Sequence, residues 1–257
     1  MTALPKKITP DNIKDAIITV RYSANLPYEI LLGRFHDILI KKSFFNFVVP
    51  SLPSNATSVF ELDGSNSNNS QEGVTINIGK PEYLFHDDSI KIILKPYEIL
   101  FNIIDKYISW DVYFPLIKKV INDLFESKNI INFSYIQIRY ISHYPNIDLD
   151  DKVNVNLNSN FQGYNSENTS FRTTLKYQNL IATINIVNKL NVLSNAELSS
   201  TFLSVIDVLV IANLIPNVTY SSPNELFGVL DIAHGFEKDI FFKIMCDGYV
   251  NELNPQF

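Results

Sequence analysis

Apolar and polar positions alternate along 16–23 (AIITVRYS) with the period of a strand. Ile18, Val20 and Tyr22 fall on one face, and Thr19, Arg21 and Ser23 on the other. After Pro27 the period lengthens, so 28–41 reads as an amphipathic helix, and 44–49 is a short apolar strand closed by Pro50. The stretch 61–73 (ELDGSNSNNSQEG) has no hydrophobic pattern and reads as a flexible, solvated loop. Two strands follow, 74–85 and 89–103, with His86-Asp87-Asp88 as a polar turn between them. A helix is expected over 110–127. Ser109 is placed to cap it and Asp111 suits its first turn, although Pro115 fits badly so far past the cap.

The second half opens on a long alternating strand, 133–144 (FSYIQIRYISHY). Residues 148–170 are polar and rich in asparagine, with one short strand expected at 152–157. A hairpin is expected from 170–178 and 180–190 around Asn179. The run 201–214 suits either a strand or a helix. Leu203, Ile206, Val210 and Leu214 fall near one helical face, which favours a helix. Ser222-Pro223-Asn224-Glu225 is a capping box with proline at the first helical position, and it predicts a terminal helix over 223–246. Strands joined mainly by short links imply an α+β fold with a largely antiparallel sheet and helices packed mainly on one face.

The two halves echo each other. IITVRYSANLP (17–27) set over YIQIRYISHYP (135–145) aligns Arg21-Tyr22 with Arg139-Tyr140, and in both the proline follows the arginine by six residues. The expectation is a single domain spanning 1–257, with related halves 1–128 and 129–257. Only four arginines stand against seventeen lysines, so the placement of each arginine is informative. Arg21, Arg139 and Arg172 all project from the polar face of a predicted strand. A guanidinium offers a planar fork of donors that suits bidentate pairing. The plain role is an internal bridge to a carboxylate; the other is a surface that binds a ligand or partner.

Composition narrows the function. At 257 residues, with 46% hydrophobic and 19% charged, the chain can bury a full core without staples. The net charge of −6, with its signs interleaved, gives no indication of a nucleic-acid partner. Cys246 is the only cysteine, which excludes an internal disulfide and a thiolate zinc cluster. No apolar run is long enough to span a membrane, and the first residues lack a secretory pattern, so a cytoplasmic location is expected. The nucleotide-binding patterns GxxxxGK[ST] and GxGxxG and the hydrolase elbow GxSxG are all missing. No cofactor or metal site is expected: His86 beside Asp87 and Asp88 has neighbours that seldom converge on an ion, and hairpin turns favour those residues anyway.

Asp231 and His234, three apart on the terminal helix, are placed to touch, with Glu237 as an alternative carboxylate. Such a pair can orient a histidine for general base work.

The chain resembles a sporadically distributed, uncharacterised family of bacterial and archaeal proteins of similar length. Four places carry the resemblance: the early strand with Pro27-Tyr28-Glu29, Ser109-Trp110-Asp111, Ile138-Arg139-Tyr140-Ile141-Ser142, and Leu230-Asp231-Ile232-Ala233-His234. The family's usual pattern has asparagine in place of Ser142 and often a basic residue in place of His143. The resemblance implies no activity. The family's patchy distribution implies a setting such as phage defence or toxin–antitoxin conflict. The expectation is therefore a non-enzymatic protein that binds another macromolecule, with a protein partner or self-association. Arg21, Arg139, His143, Arg172, Asp231 and His234 are the candidate binding residues. The alternatives are a hydrolase or nuclease using Asp231, His234 and His143, and a small-ligand binder with aromatic side chains between sheet and terminal helix.

Overall fold

Burial alternates along each long central strand, and that alternation sets the architecture. In β1 (Ile13–Ala24) Ala16, Ile18, Val20 and Tyr22 are buried while Arg21 is exposed. The same division runs through β6 (Ile130–Pro145), where Ile136, Ile138, Tyr140 and Tyr144 are buried. In this computed structural model the described residues are 4–41, 45–48, 83–157, 168–192, 201–212 and 219–257. The expected loop at 61–73 and most of the expected strand at 74–85 lie outside them.

The remaining elements are α1 (Tyr28–Lys41), β2 (Asn46–Val48), β3 (Tyr83–His86), β4 (Ile90–Lys95), β5 (Glu98–Ile103), α2 (Trp110–Glu126), β7 (Thr169–Tyr177), β8 (Leu180–Val192), β9 (Thr201–Ala212), α3 (Pro223–Ile244) and α4 (Asp247–Glu252). The strands form one antiparallel sheet in the order β2-β3-β4-β5-β1-β6-β9-β8-β7. The fold is α+β, as the sequence pattern implies.

Outward from the central β1–β6 pair the order reads alike on both sides: β5, β4, β3 on one and β9, β8, β7 on the other. Thr19 pairs directly with Gln137, the two residues that the internal alignment makes equivalent.

Helix side chains meet the buried parity. Phe35 of α1 packs edge-on against Tyr22 at 5.9 Å, and Tyr113 of α2 donates to the Ala16 carbonyl at 3.0 Å. Tyr28 donates to the Leu94 carbonyl at 3.0 Å. The opposite parity, which includes Ile17, Leu100, Ile141, Leu209 and Ile211, stays partly exposed.

Four expectations are corrected. Residues 201–212 are strand, not helix, lying between β6 and β8. The helical spacing of Leu203, Ile206 and Val210 was coincidental, because β-branched residues crowd both faces of a strand buried between neighbours. The stretch 89–103 is two strands, broken at Pro96-Tyr97. Proline cannot donate to a ladder, and Tyr97 takes φ 60°, the left-handed value that a type II turn needs at its third residue. At 152–157 there is only an isolated bridge, Val153 to Met245. Ser109 makes no side-chain cap: it has φ 69°, and its carbonyl instead accepts from Tyr113 at 2.9 Å. Pro115 sits within α2 without ending it.

The His86-Asp87-Asp88 turn forms as expected, with Asp87 Oδ1 accepting from the backbone of Ser89 (2.6 Å) and Ile90 (2.8 Å).

Candidate functional site

Alternation on β6 decides which candidates can meet. Arg139 and His143 share its outer, part-exposed parity, whereas Tyr140 points inward with the core. Arg139 lies diagonal to Asp207 on the neighbouring β9 and grips it with both arms of the fork. Its Nε donates to Oδ1 at 2.9 Å and its Nη2 to Oδ2 at 2.8 Å. The carboxylate in turn holds the guanidinium above its ordinary pKa. Arg21 bridges with one arm on the other side of the centre, donating from Nε to Glu98 Oε2 at 2.8 Å while its guanidinium lies 4.6 Å from the Tyr135 ring centroid. Both arginines thus take the plain role of internal bridges to a carboxylate on the next strand. Arg172, opposite Asn185, is exposed.

His143 is half-buried. Its imidazole is held below its ordinary pKa by burial, with Asp15 opposing that and Lys14 adding to it.

A second polar cluster lies on the inner side, beneath α3. The helix turns Leu226, Leu230, Ala233, Glu237, Ile240 and Ile244 into the core. His234, one step round the helix, stacks on Trp110 at 4.0 Å with an interplanar angle of 16°. Its Nδ1 lies 3.4 Å from the Tyr140 hydroxyl, and that hydroxyl lies 3.3 Å from the Tyr107 hydroxyl. Burial, with Lys238 adding to it and Asp231 opposing, pushes the His234 imidazole down to about 4. The ring is therefore neutral at physiological pH.

Asp231 does not hydrogen-bond His234. Its Oδ1 accepts from Trp110 Nε1 at 3.0 Å, so the indole links the two residues. Glu237 is 4% exposed, and burial raises its carboxyl to about 8, with Lys238 opposing. Among the described residues no hydrogen bond or ion pair holds that carboxyl. It is the one strongly perturbed acid in the cluster, and its place on the buried stripe, four residues after Ala233 and three before Ile240, is the signal in the sequence that marks it. Tyr107 gave no such signal.

The six candidates therefore fall into separate places. Arg21, Arg139, His143 and Arg172 share the outer parity of the sheet, and Asp231 and His234 lie with α3 on the inner side. The sheet itself separates His143 from His234, so the histidines and Asp231 do not converge on one reacting atom. The aromatic rings of Tyr107, Tyr140, Trp110 and His234, between sheet and α3, pack on one another. Among the described residues no three His, Cys, Asp or Glu side chains are grouped to hold a metal ion. A groove of about 360 Å³ between α1 and the end of α2, lined by Arg34, Asp37, Asp123 and Glu126 among others, contains none of the six. No helix among the described residues is long and apolar enough to cross a membrane.

Searches with protein-family models and against curated proteins return no match to this chain.

Proposed function

We propose that this is a non-enzymatic binding protein that docks another protein on the outer face of its sheet. The observation that carries this reading is the make-up of that face. Ile17, Leu100, Ile141, Leu209 and Ile211 are partly exposed together, and the charges among them are already tied in the pairs Arg21–Glu98 and Arg139–Asp207. On this face apolar side chains alternate with polar ones, Arg139 lying between Ile17 and Leu209 and Gln137 beside Ile211, a mixture of apolar and polar surface such as protein interfaces carry. Neutralised arginines and a net charge of −6 suit phosphate backbones poorly. Hydrolysis by Asp231, His234 and His143 finds no support in their positions on opposite sides of the sheet. The resemblance to a patchily distributed family favours a host-conflict setting, in which recognition of another protein is the working step.

The test is affinity capture of the native chain against Leu209→Lys, which places a charge in the middle of the face. Loss of the captured partner with an unchanged melting temperature is expected. Identical retention by both proteins, or no retained partner at all, would remove the reading.

A further inference from the structure

Strand β7 ends the sheet, and among the described residues no other strand pairs with its outer edge. The corresponding position in the first half is not left open. There β3, the strand at the same place relative to the central pair, carries β2 antiparallel along its edge. The fold thus shows that a strand can be added at this position, and among the described residues it adds one in only one half.

The edge is well made for pairing. Thr169–Tyr177 keeps an unbroken register with β8 over all nine residues and contains neither proline nor glycine. Bulges and proline, two devices that blunt edges, are thus missing from β7, and a third, charge, is represented by Arg172 and Lys176 alone. Beside the edge lie large apolar side chains that the described residues leave exposed: Leu175 is 42% exposed, Tyr177 55% and, on the adjoining α3, Ile232 61%. Tyr177 leans on Phe236 of α3 at 5.5 Å, which joins edge and helix into one surface.

We propose that the occupant of this edge is β7 of a second copy, paired antiparallel about Thr173 so that two sheets become one. The sequence is self-complementary in that register. Phe171 faces Leu175 of the second copy on the core side, and Thr173 faces Thr173. On the other side Arg172 faces Thr174 and Lys176 faces Ser170, so no like charges stand directly opposed. The contact is isologous, and it closes at two copies because each β7 edge is used once. Ile232 and Phe236 of each α3 then flank the new seam. This inference concerns the edge and is independent of the outer face proposed above.

The experiment is light scattering after size exclusion on the full chain at micromolar concentration. A mass twice that of the chain is expected for the wild type and for Leu209→Lys. Leu175→Lys, which sets a charge against Phe171 of the other copy at an already exposed position, should run as a folded monomer with unchanged circular dichroism. Thr173→Cys in a Cys246→Ala background should give a covalent dimer on oxidation. A monomeric wild type would overturn the proposal, including the case in which β7 amides become protected only with a foreign chain bound. So would a dimer that survives Leu175→Lys and fails to cross-link at position 173.

Discussion

The Glu237 carboxyl is held neutral well above the ordinary carboxylate range, because burial strips water from its charge and Lys238 offsets only part of that loss. Its folded value of about 8 lies above its ordinary 4.5, so the folded protein holds a proton that the unfolded chain releases between those values. Stability from this group is therefore fully present at acid pH and is lost as pH rises towards 8. His234 has the opposite sign: with a folded value of about 4 against an ordinary 6.5, it costs stability as pH falls from 6.5 towards 4. Between pH 6.5 and 8 only Glu237 of the pair acts. The wild type should then lose up to about 2 kcal/mol at ~1.4 kcal/mol per pH unit, and Glu237→Gln should abolish that loss. Urea unfolding at pH 6.5 and pH 8 measures it; equal slopes in the two proteins would mean that the carboxyl ionises normally. Arg139→Lys keeps the charge but not the two-armed grip. With the arginine side chain 37% exposed, the cost should be only about 0.5–1 kcal/mol in thermal melts. The arginine's outward direction was legible from the alternation of its own strand. Its partner was not, because Asp207 sits 68 residues later in a stretch whose spacing imitates a helix.

At the scale of elements, local chemistry was the reliable guide where it fixed a terminus. Ser222 Oγ accepts from the Glu225 backbone at 3.4 Å, and the Glu225 carboxylate reaches back to the Ser221 backbone at 2.8 Å, so α3 starts at Pro223 as the capping box implies. Ser222→Ala should cost roughly 0.5–2 kcal/mol in denaturant unfolding, with the cooperativity of the transition unchanged. An unaltered midpoint would show that the Glu225 contact alone holds the start of α3. The other end of α3 was harder to place. Met245 turns extended, with ψ 139°, and bridges to Val153, and so α4 begins at Asp247 as a separate helix. That break depends on Val153, 92 residues before Met245, which no local signal announces. Pro96 did announce the β4–β5 turn, but the apolar residues on both sides of it imitate one long strand. The β7–β8 hairpin was legible because a polar pair separates two alternating runs, and Gln178 takes the left-handed φ of 51°.

For the whole molecule, alternation and short links were enough to give an antiparallel α+β fold. The order of strands was not legible, since it depends on which edges meet in space. The internal alignment came nearest, because it set Thr19 over Gln137, and those residues face each other at the centre of the sheet. That centre is also where the halves depend on each other: β1 and β6 pair from Ile13–Ser142 to Ala24–Ile130. The turn before β6, where Lys128 takes φ 59°, is a natural place to cut. Fragments 1–128 and 129–257 should each be insoluble when expressed alone, because each would expose a central strand edge. Co-expressed, they should copurify as one folded particle. A fragment that is soluble and melts cooperatively by itself would show that each half closes its own core.

The same central pairing sets a timetable for synthesis. β1 ends at Ala24 and β6 begins at Ile130, so the 105 residues 25–129 must be made before the middle of the sheet can begin to close. At ~5–20 residues per second that delay is roughly 5–20 s. For that time the nascent chain presents the flank of β1 with no mate, longer than a hairpin needs to form by many orders of magnitude. A ribosome-bound chaperone that shields this flank should raise the soluble yield, and slowing translation in the second half should lower it.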